Sequence, residues 1–178
     1  MIEAISILGV DASLRATGLS VVTYDPLSDS RKPFVSYCNI VTVPQVHKGH
    51  DAVLFMIDQL VGLEKPIIAQ VVIESPAAIF NPKFPSSSLL PMAHIAGACV
   101  PIFGSDVSFL IHPSEWNKTR KKDVTHAKLV EQLGDPNSWP TPQKEIKQKY
   151  HEHILDAAGM ALYWLETRYS AHLMASHD

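Results

Sequence analysis

Between Ile5 and Val22 the chain reads ISILGVDASLRATGLSVV. Two apolar runs are joined by a short polar segment, and one carboxylate, Asp11, closes the first. Runs this short and this apolar read as buried strands. An ionised carboxylate buried without a partner costs several kcal/mol. Asp11 therefore either faces solvent at the strand end or is neutralised by something held there. A turn residue that hydrogen-bonds its own backbone would also fit. What decides between them is whether other carboxylates reach the same point.

The length of 178 residues suits one domain, taken as 1–169, with a short tail over 170–178. No apolar stretch reaches the ~18 residues of a membrane span. Glu3 and the lack of a basic leader argue against a signal peptide. Cys38 and Cys99 lack metal-site spacing, so reduced thiols and a cytoplasmic setting, bacterial or in a virus-infected cell, are expected. A net charge of -3 does not advertise a nucleic-acid binder, but the cations are unevenly spread. Lys118, Arg120, Lys121, Lys122 and Lys128 form one basic stretch, and Lys144, Lys147 and Lys149 a second. Either would also serve as a merely solvated face.

In chain order, Met1 to Val10 reads as a first strand, Ala12 to Thr17 as its turn, and Gly18 to Tyr24 as a second strand. Gly18 suits a hairpin exit or a bulge. After a loop, Phe34 to Val43 makes a third strand, completing an antiparallel meander. From His50 the period becomes helical, with Val53, Ile57, Leu60, Val61 and Glu64 in step and Leu54 and Phe55 widening the stripe. Ile67 to Ile73 is a second apolar run, closed by Glu74. A right-handed crossover lays this strand parallel in the same sheet. Two buried strands then end in acids at the carboxyl edge, where open α/β sheets bind ligands.

Ser75 to Pro85 is irregular, and a helix is expected from Ser86–Ser88 through Val100. Its Ala93, Ala96, Gly97 and Ala98 give a small side suited to close contact with the sheet or a second copy. Val107 to Ile111 is a fifth strand, and Val124 to Leu133 a helix capped by Asp123. A final helix starts within 146–154 and runs to Arg168, with an apolar stripe of Ile154, Leu155, Ala158, Ala161, Leu162 and Leu165. Asp156 interrupts that stripe, one helical turn from His153. Asp11, Glu74 and Asp156 thus converge from different elements. Hard cations such as Mg²⁺ take oxygen ligands, and two of them ~3.5–4 Å apart support in-line phosphoryl displacement.

These segments resemble the RuvC family of Holliday-junction resolvases, in the RNase H-like superfamily of nucleases. DASLRATGLSVV matches the family's Asp-Pro-Gly-Ser-Arg-x-Thr-Gly pattern at Asp11, Arg15, Thr17 and Gly18 without a gap. VVIES places the family's catalytic Glu on Glu74, and SSSLLPMAHIAGACV its long following helix. HEHILDAAGMAL resembles the closing motif, with a fourth ligand on His153 and the last acid on Asp156. The resemblance implies an α/β, RNase H-like fold: a five-stranded mixed sheet of three antiparallel and two parallel strands, flanked by helices. It implies a crossover junction endodeoxyribonuclease, a homodimer that nicks four-way or branched DNA symmetrically. Two Mg²⁺ ions per site are implied, replaceable by Mn²⁺. Asp11 would bridge both ions, Glu74 and Asp156 would each hold one, and His153 would position or deprotonate the attacking water. Lys118, Lys121 and Lys122 fall where the family has phosphate-contacting cations, and Arg15 and Arg120 are taken as DNA contacts as well. Ala12 and Ser13 replace Pro-Gly. Ala77 stands where some members carry a junction-wedging Phe, so that role passes to Phe80 or Phe84.

Other readings compete. A Gly-x-Asp turn also opens the phosphate loop of sugar kinases, actin and heat-shock ATPases, but their second loop and adenosine site are missing here. A nuclease acting on RNA, RNA–DNA hybrids or flaps would share the metal site. A non-catalytic junction binder would have no chemical reason to keep an acid in an apolar helix stripe. His151 and His153 lack zinc-protease spacing. His94, His126 and His172 read as surface or core histidines, and Trp116 and Trp139 as packing residues more than base-stacking ones.

Overall fold

The computed structural model describes residues 4–76, 86–117 and 121–169. Its sheet comprises β1 (Ile5–Asp11), β2 (Ala16–Tyr24), β3 (Phe34–Thr42), β4 (Gln70–Glu74) and β5 (Ser108–Ile111), in the order β3-β2-β1-β4-β5. The first three strands pair antiparallel, and β4 and β5 add on parallel to β1. This is the expected α/β arrangement. Among the described residues no helix is long and apolar enough to cross a membrane.

Two-residue periodicity divides the sheet side chains between two cores. Leu8, Val10, Leu19, Val21, Val71 and Ile73 pack with α1 (Gly49–Val61) and α2 (Ser86–Phe103). Ile7, Val22, Ile40 and Val72 pack with α5 (His151–Arg168). Asp11 and Glu74 lie in phase with Ile7 and Val72, so they share the α5 face. α4 (Lys122–Leu133) lies against α5, and α3 (Pro113–Asn117) is a short helix that the sequence pattern did not indicate. Covered on both sides, α5 is buried at every position from Ile154 to Leu162. That explains its apolar composition around the whole circumference.

The approach of α5 to the sheet is set by two glycines. A Cβ on Gly9 would fall 1.8 Å from the Ala157 carbonyl oxygen, and one on Gly18 2.3 Å from that of His153. Beside them Ser20 Oγ donates to the Ile154 carbonyl at 2.8 Å. Helix backbone therefore rests directly on strand backbone. Gly18 is the hairpin exit expected, since its pair with Asp11 closes the β1–β2 ladder at the turn, and contact with α5 is a second constraint on it. It pairs in register with Asp11 and Ile40, and the β2–β3 irregularity falls at Val21/Val22.

Some boundaries do move. β4 begins at Gln70, and Ile67 is 97% exposed in the preceding coil. α1 stops at Val61, caps at Gly62, and buries Ala52, Val53, Met56 and Leu60, leaving Leu54 and Val61 exposed. The capping position of α4 is Lys121, without a side-chain cap bond, and Asp123 lies in the first turn, where its charge favours the positive helix end. On α2 the small residues do not share a face: Ala96 is buried and Gly97 exposed. Cys38 and Cys99 are free and buried, and burial pushes their thiols up to about 11 and about 12. Trp139 is buried and donates its indole N–H to the Leu133 carbonyl, as a packing residue should.

Two glycine substitutions should separate close approach from mere helix composition. Gly9→Ala is expected to destabilise the chain by about 3 kcal/mol or to prevent folding, because backbone must move. Gly97→Ala meets nothing within 4 Å and should stabilise by about 0.5–1 kcal/mol. Denaturant melts of the two variants check both signs.

Candidate active site

The parallel register pairs Val10 with Ile73, so the next residues, Asp11 and Glu74, stand side by side at the carboxyl edge. Adjacent strands are about 4.8 Å apart, which holds the two carboxyl groups close whatever their rotamers. Because α5 rests on Gly9 and Gly18, its first turns lie over this pair. His153 Nδ1 sits 2.6 Å from Asp11 Oδ2. Asp156, three residues on, faces the same cleft, a cavity of about 330 Å³ also walled by Lys122 and Trp116.

Asp11 and Asp156 are 6% and 7% exposed, so their charges need partners. Asp156 has two. Lys122 Nζ lies 2.7 Å from Oδ2 and His126 Nε2 2.7 Å from Oδ1. Lys122 also reaches Glu152 at 3.1 Å. Burial pushes the Asp11 carboxyl up, against the opposing hydrogen bond from His153. Glu74 is pushed up to about 8, first by burial and then by the negative charges of Asp11 and Asp156. Each of the two strand carboxyls therefore binds its proton more tightly than in water. Burial disfavours imidazolium at His153, but the Asp11 hydrogen bond and charge outweigh it and the net shift is upward. Lys122 is likewise shifted upward: its bond to Asp156 outweighs burial.

Trp116 on α3 completes the wall. Its ring would lie 2.7 Å from a Cβ on Gly159 of α5, so glycine makes room for it. Its buried Nε1 has no hydrogen-bond partner of normal geometry, yet it lies near enough to Glu74 to favour the ionised carboxylate. Trp116 and Thr125 also border a second groove of about 700 Å³ between α4 and α5. Trp116 thus packs, as expected, and lines the cleft as well.

The structure brings together Asp11, Glu74, His153 and Asp156, as the sequence motifs implied. Their donor set suits a hard cation. Burial, with like charge added to it, raises both strand carboxyls. Among the described residues, however, no three acids or histidines converge as a ready-made ion site. Lys122 accounts for part of this, since its ammonium occupies an Asp156 oxygen.

Other assignments fall elsewhere. Arg15 is exposed on the β1–β2 turn and donates to the carbonyls of Pro44 and His47, bracing the loop after β3. Lys121 is exposed at the start of α4, and Lys122 meets carboxylates. His94 is exposed. Phe80, Phe84, Ala77, Lys118, Arg120 and His172 lie outside the described residues. Read as a surface or satisfied core histidine, His126 is mostly buried and its partner is an acid of the cleft. The usable signal was its place one turn from Lys122 on α4.

No family model and no curated protein matches the sequence. Among solved structures, RuvC of Thermus thermophilus in complex with a Holliday junction substrate is similar at a TM-score of 0.66 and 15% identity, covering 93% of this chain and 96% of that one. A second Thermus thermophilus RuvC structure gives 0.65 at 15% identity, covering 93% and 97%. The yeast mitochondrial Holliday junction resolvase gives 0.52 at 9% identity, covering 95% and 85%. The fold is that of the RuvC resolvases.

Asp11, Glu74 and His153 all hold protons more tightly folded than unfolded. For Glu74 the resulting stability is fully present below about 4.5 and lost as pH rises through about 8. Melts in EDTA should therefore show Tm falling across that window, with Glu74→Gln flattening the fall. A pH-independent Tm would contradict the buried, uncompensated acid pair.

Proposed function

We propose that this chain, built on the RuvC resolvase fold, is a metal-dependent endonuclease that resolves Holliday junctions or other branched DNA by paired, symmetric phosphodiester cleavage. The observation carrying the proposal is the side-by-side register of Asp11 and Glu74 beneath His153 and Asp156. A scaffold protein would gain nothing from two acids at one sheet edge with a third facing them from a helix. The printed substrate of a similar structure, a Holliday junction, supports branched DNA as the partner.

In this reading Asp11, Glu74 and Asp156 hold Mg²⁺ or Mn²⁺, with His153 at the edge of the set. When bound, the ions supply Lewis-acid activation of a phosphoryl oxygen and of the attacking water. The chain's own residues do the rest. Burial strengthens each acid's attraction for a cation by removing competing water. His153, hydrogen-bonded to Asp11 through Nδ1, has Nε2 left to take or return a proton. Lys122, half exposed and paired with Asp156 and Glu152, would have its ammonium available to a phosphate wherever a cation took its place on Asp156. Thr17 and Ser13 stiffen the turn after Asp11: Thr17 Oγ1 donates to the Ser13 carbonyl at 3.0 Å and accepts from its N–H at 3.3 Å.

Four-way junctions, flaps, RNA–DNA hybrids and linear duplex, each incubated with Mg²⁺ or Mn²⁺, test the substrate class. Symmetric nicks in the four-way junction are expected, and cutting confined to hybrids would overturn the proposal. Asp11→Asn should lower the cleavage rate by at least about a hundredfold, the scale of losing a group that acts in the transition state, and leave junction binding in EDTA intact. Light scattering should give twice the 19.7 kDa chain mass, since paired nicks require two cleavage centres.

A further inference from the structure

We infer that His126 is a positioning residue for Asp156: it fixes one carboxylate oxygen so that the other is presented to a divalent cation in the cleft. This deepens the nuclease reading, on which it rests, by assigning work to a residue that reading does not use.

Lys122 and His126 lie four residues apart on α4, hence on one face of the helix. They take separate oxygens of Asp156, Lys122 on Oδ2 and His126 on Oδ1, each at 2.7 Å. The two contacts differ in kind. The Lys122 side chain is 52% exposed, has a long flexible stem and shares its ammonium with Glu152. It can leave for another anion without desolvating anything. The His126 side chain is 17% exposed and has two torsions, so its bond is the fixed one.

Charge separates them further. An ammonium and a divalent cation compete for the same oxygen. His126 does not contend for that oxygen, because its Nε2 sits on Oδ1 while Lys122 holds Oδ2. The His126 bond therefore persists when Lys122 is displaced. It stops the Asp156 carboxylate from rotating both oxygens onto Lys122. Partners that orient a ligating group in this way are worth about 10–100-fold in metal affinity.

The test is a titration of the metal-free full chain with Mn²⁺, without DNA, counting bound ion by electron paramagnetic resonance. His126→Leu should bind Mn²⁺ at least about tenfold more weakly. His126→Gln, whose amide N–H reaches the position of Nε2, should recover most of the loss. The Mn²⁺ concentration for half-maximal junction cutting should rise in parallel, with junction binding in EDTA unchanged. If His126→Leu does not fold, His126→Asn takes its place: it is polar but too short to reach Oδ1. A folded His126→Leu or His126→Asn that binds Mn²⁺ as tightly as wild type overturns the inference, as does a His126→Gln no better than His126→Leu. Both outcomes leave the nuclease reading standing if wild type binds Mn²⁺ and cuts junctions. A wild-type chain that does neither brings down that reading, and this inference with it.

Discussion

Everything at the cleft depends on how closely α5 lies on β1 and β2. Gly9 and Gly18 remove the side chains that would hold the helix off, and Ser20 adds a hydrogen bond to its backbone. A Cβ at either position would strike the helix backbone, so side chains there would hold α5 farther off. From there His153 would not reach Asp11, which it now meets at 2.6 Å. The glycines thus act on chemistry through distance.

Close seating creates the electrostatic problem that defines the site. Asp11 and Glu74 are adjacent by register, and the helix brings Asp156 onto the same pair while excluding water. The chain answers with borrowed charge and raised proton affinity. Glu74 keeps a proton up to about 8, His153 leans on Asp11, and Lys122 and His126 divide the oxygens of Asp156 between them. No partner bridges two of the three acids Asp11, Glu74 and Asp156, so the cleft as a whole still favours a cation that serves several at once.

Much of this was legible in the chain. Apolar runs ending in Asp11 and Glu74 placed both acids at one edge, since strand period and crossover handedness are local and general rules. The Asp-x₃-Arg-x-Thr-Gly and His-x₂-Asp spacings placed the remaining groups, and the fold they implied is the one observed. What was not legible is long-range. Gly18 read only as a hairpin exit because its further constraint, a helix backbone more than a hundred residues later, has no local signature. His126 read as an ordinary histidine because its partner belongs to another helix. Arg15 braces the loop after β3 through two carbonyls, and no motif specifies which carbonyls lie within reach.

Sequence alone determined the strand pattern, the acids that end the strands, and the face of the last helix that carries His153 and Asp156. These follow from hydrophobic periodicity and backbone handedness, which act over a few residues at a time. Only the tertiary structure decided the separation of that helix from the sheet and the pairing of each acid with its own base. Those are contacts between segments remote in the chain, set by which side chains are small enough to let two backbones touch.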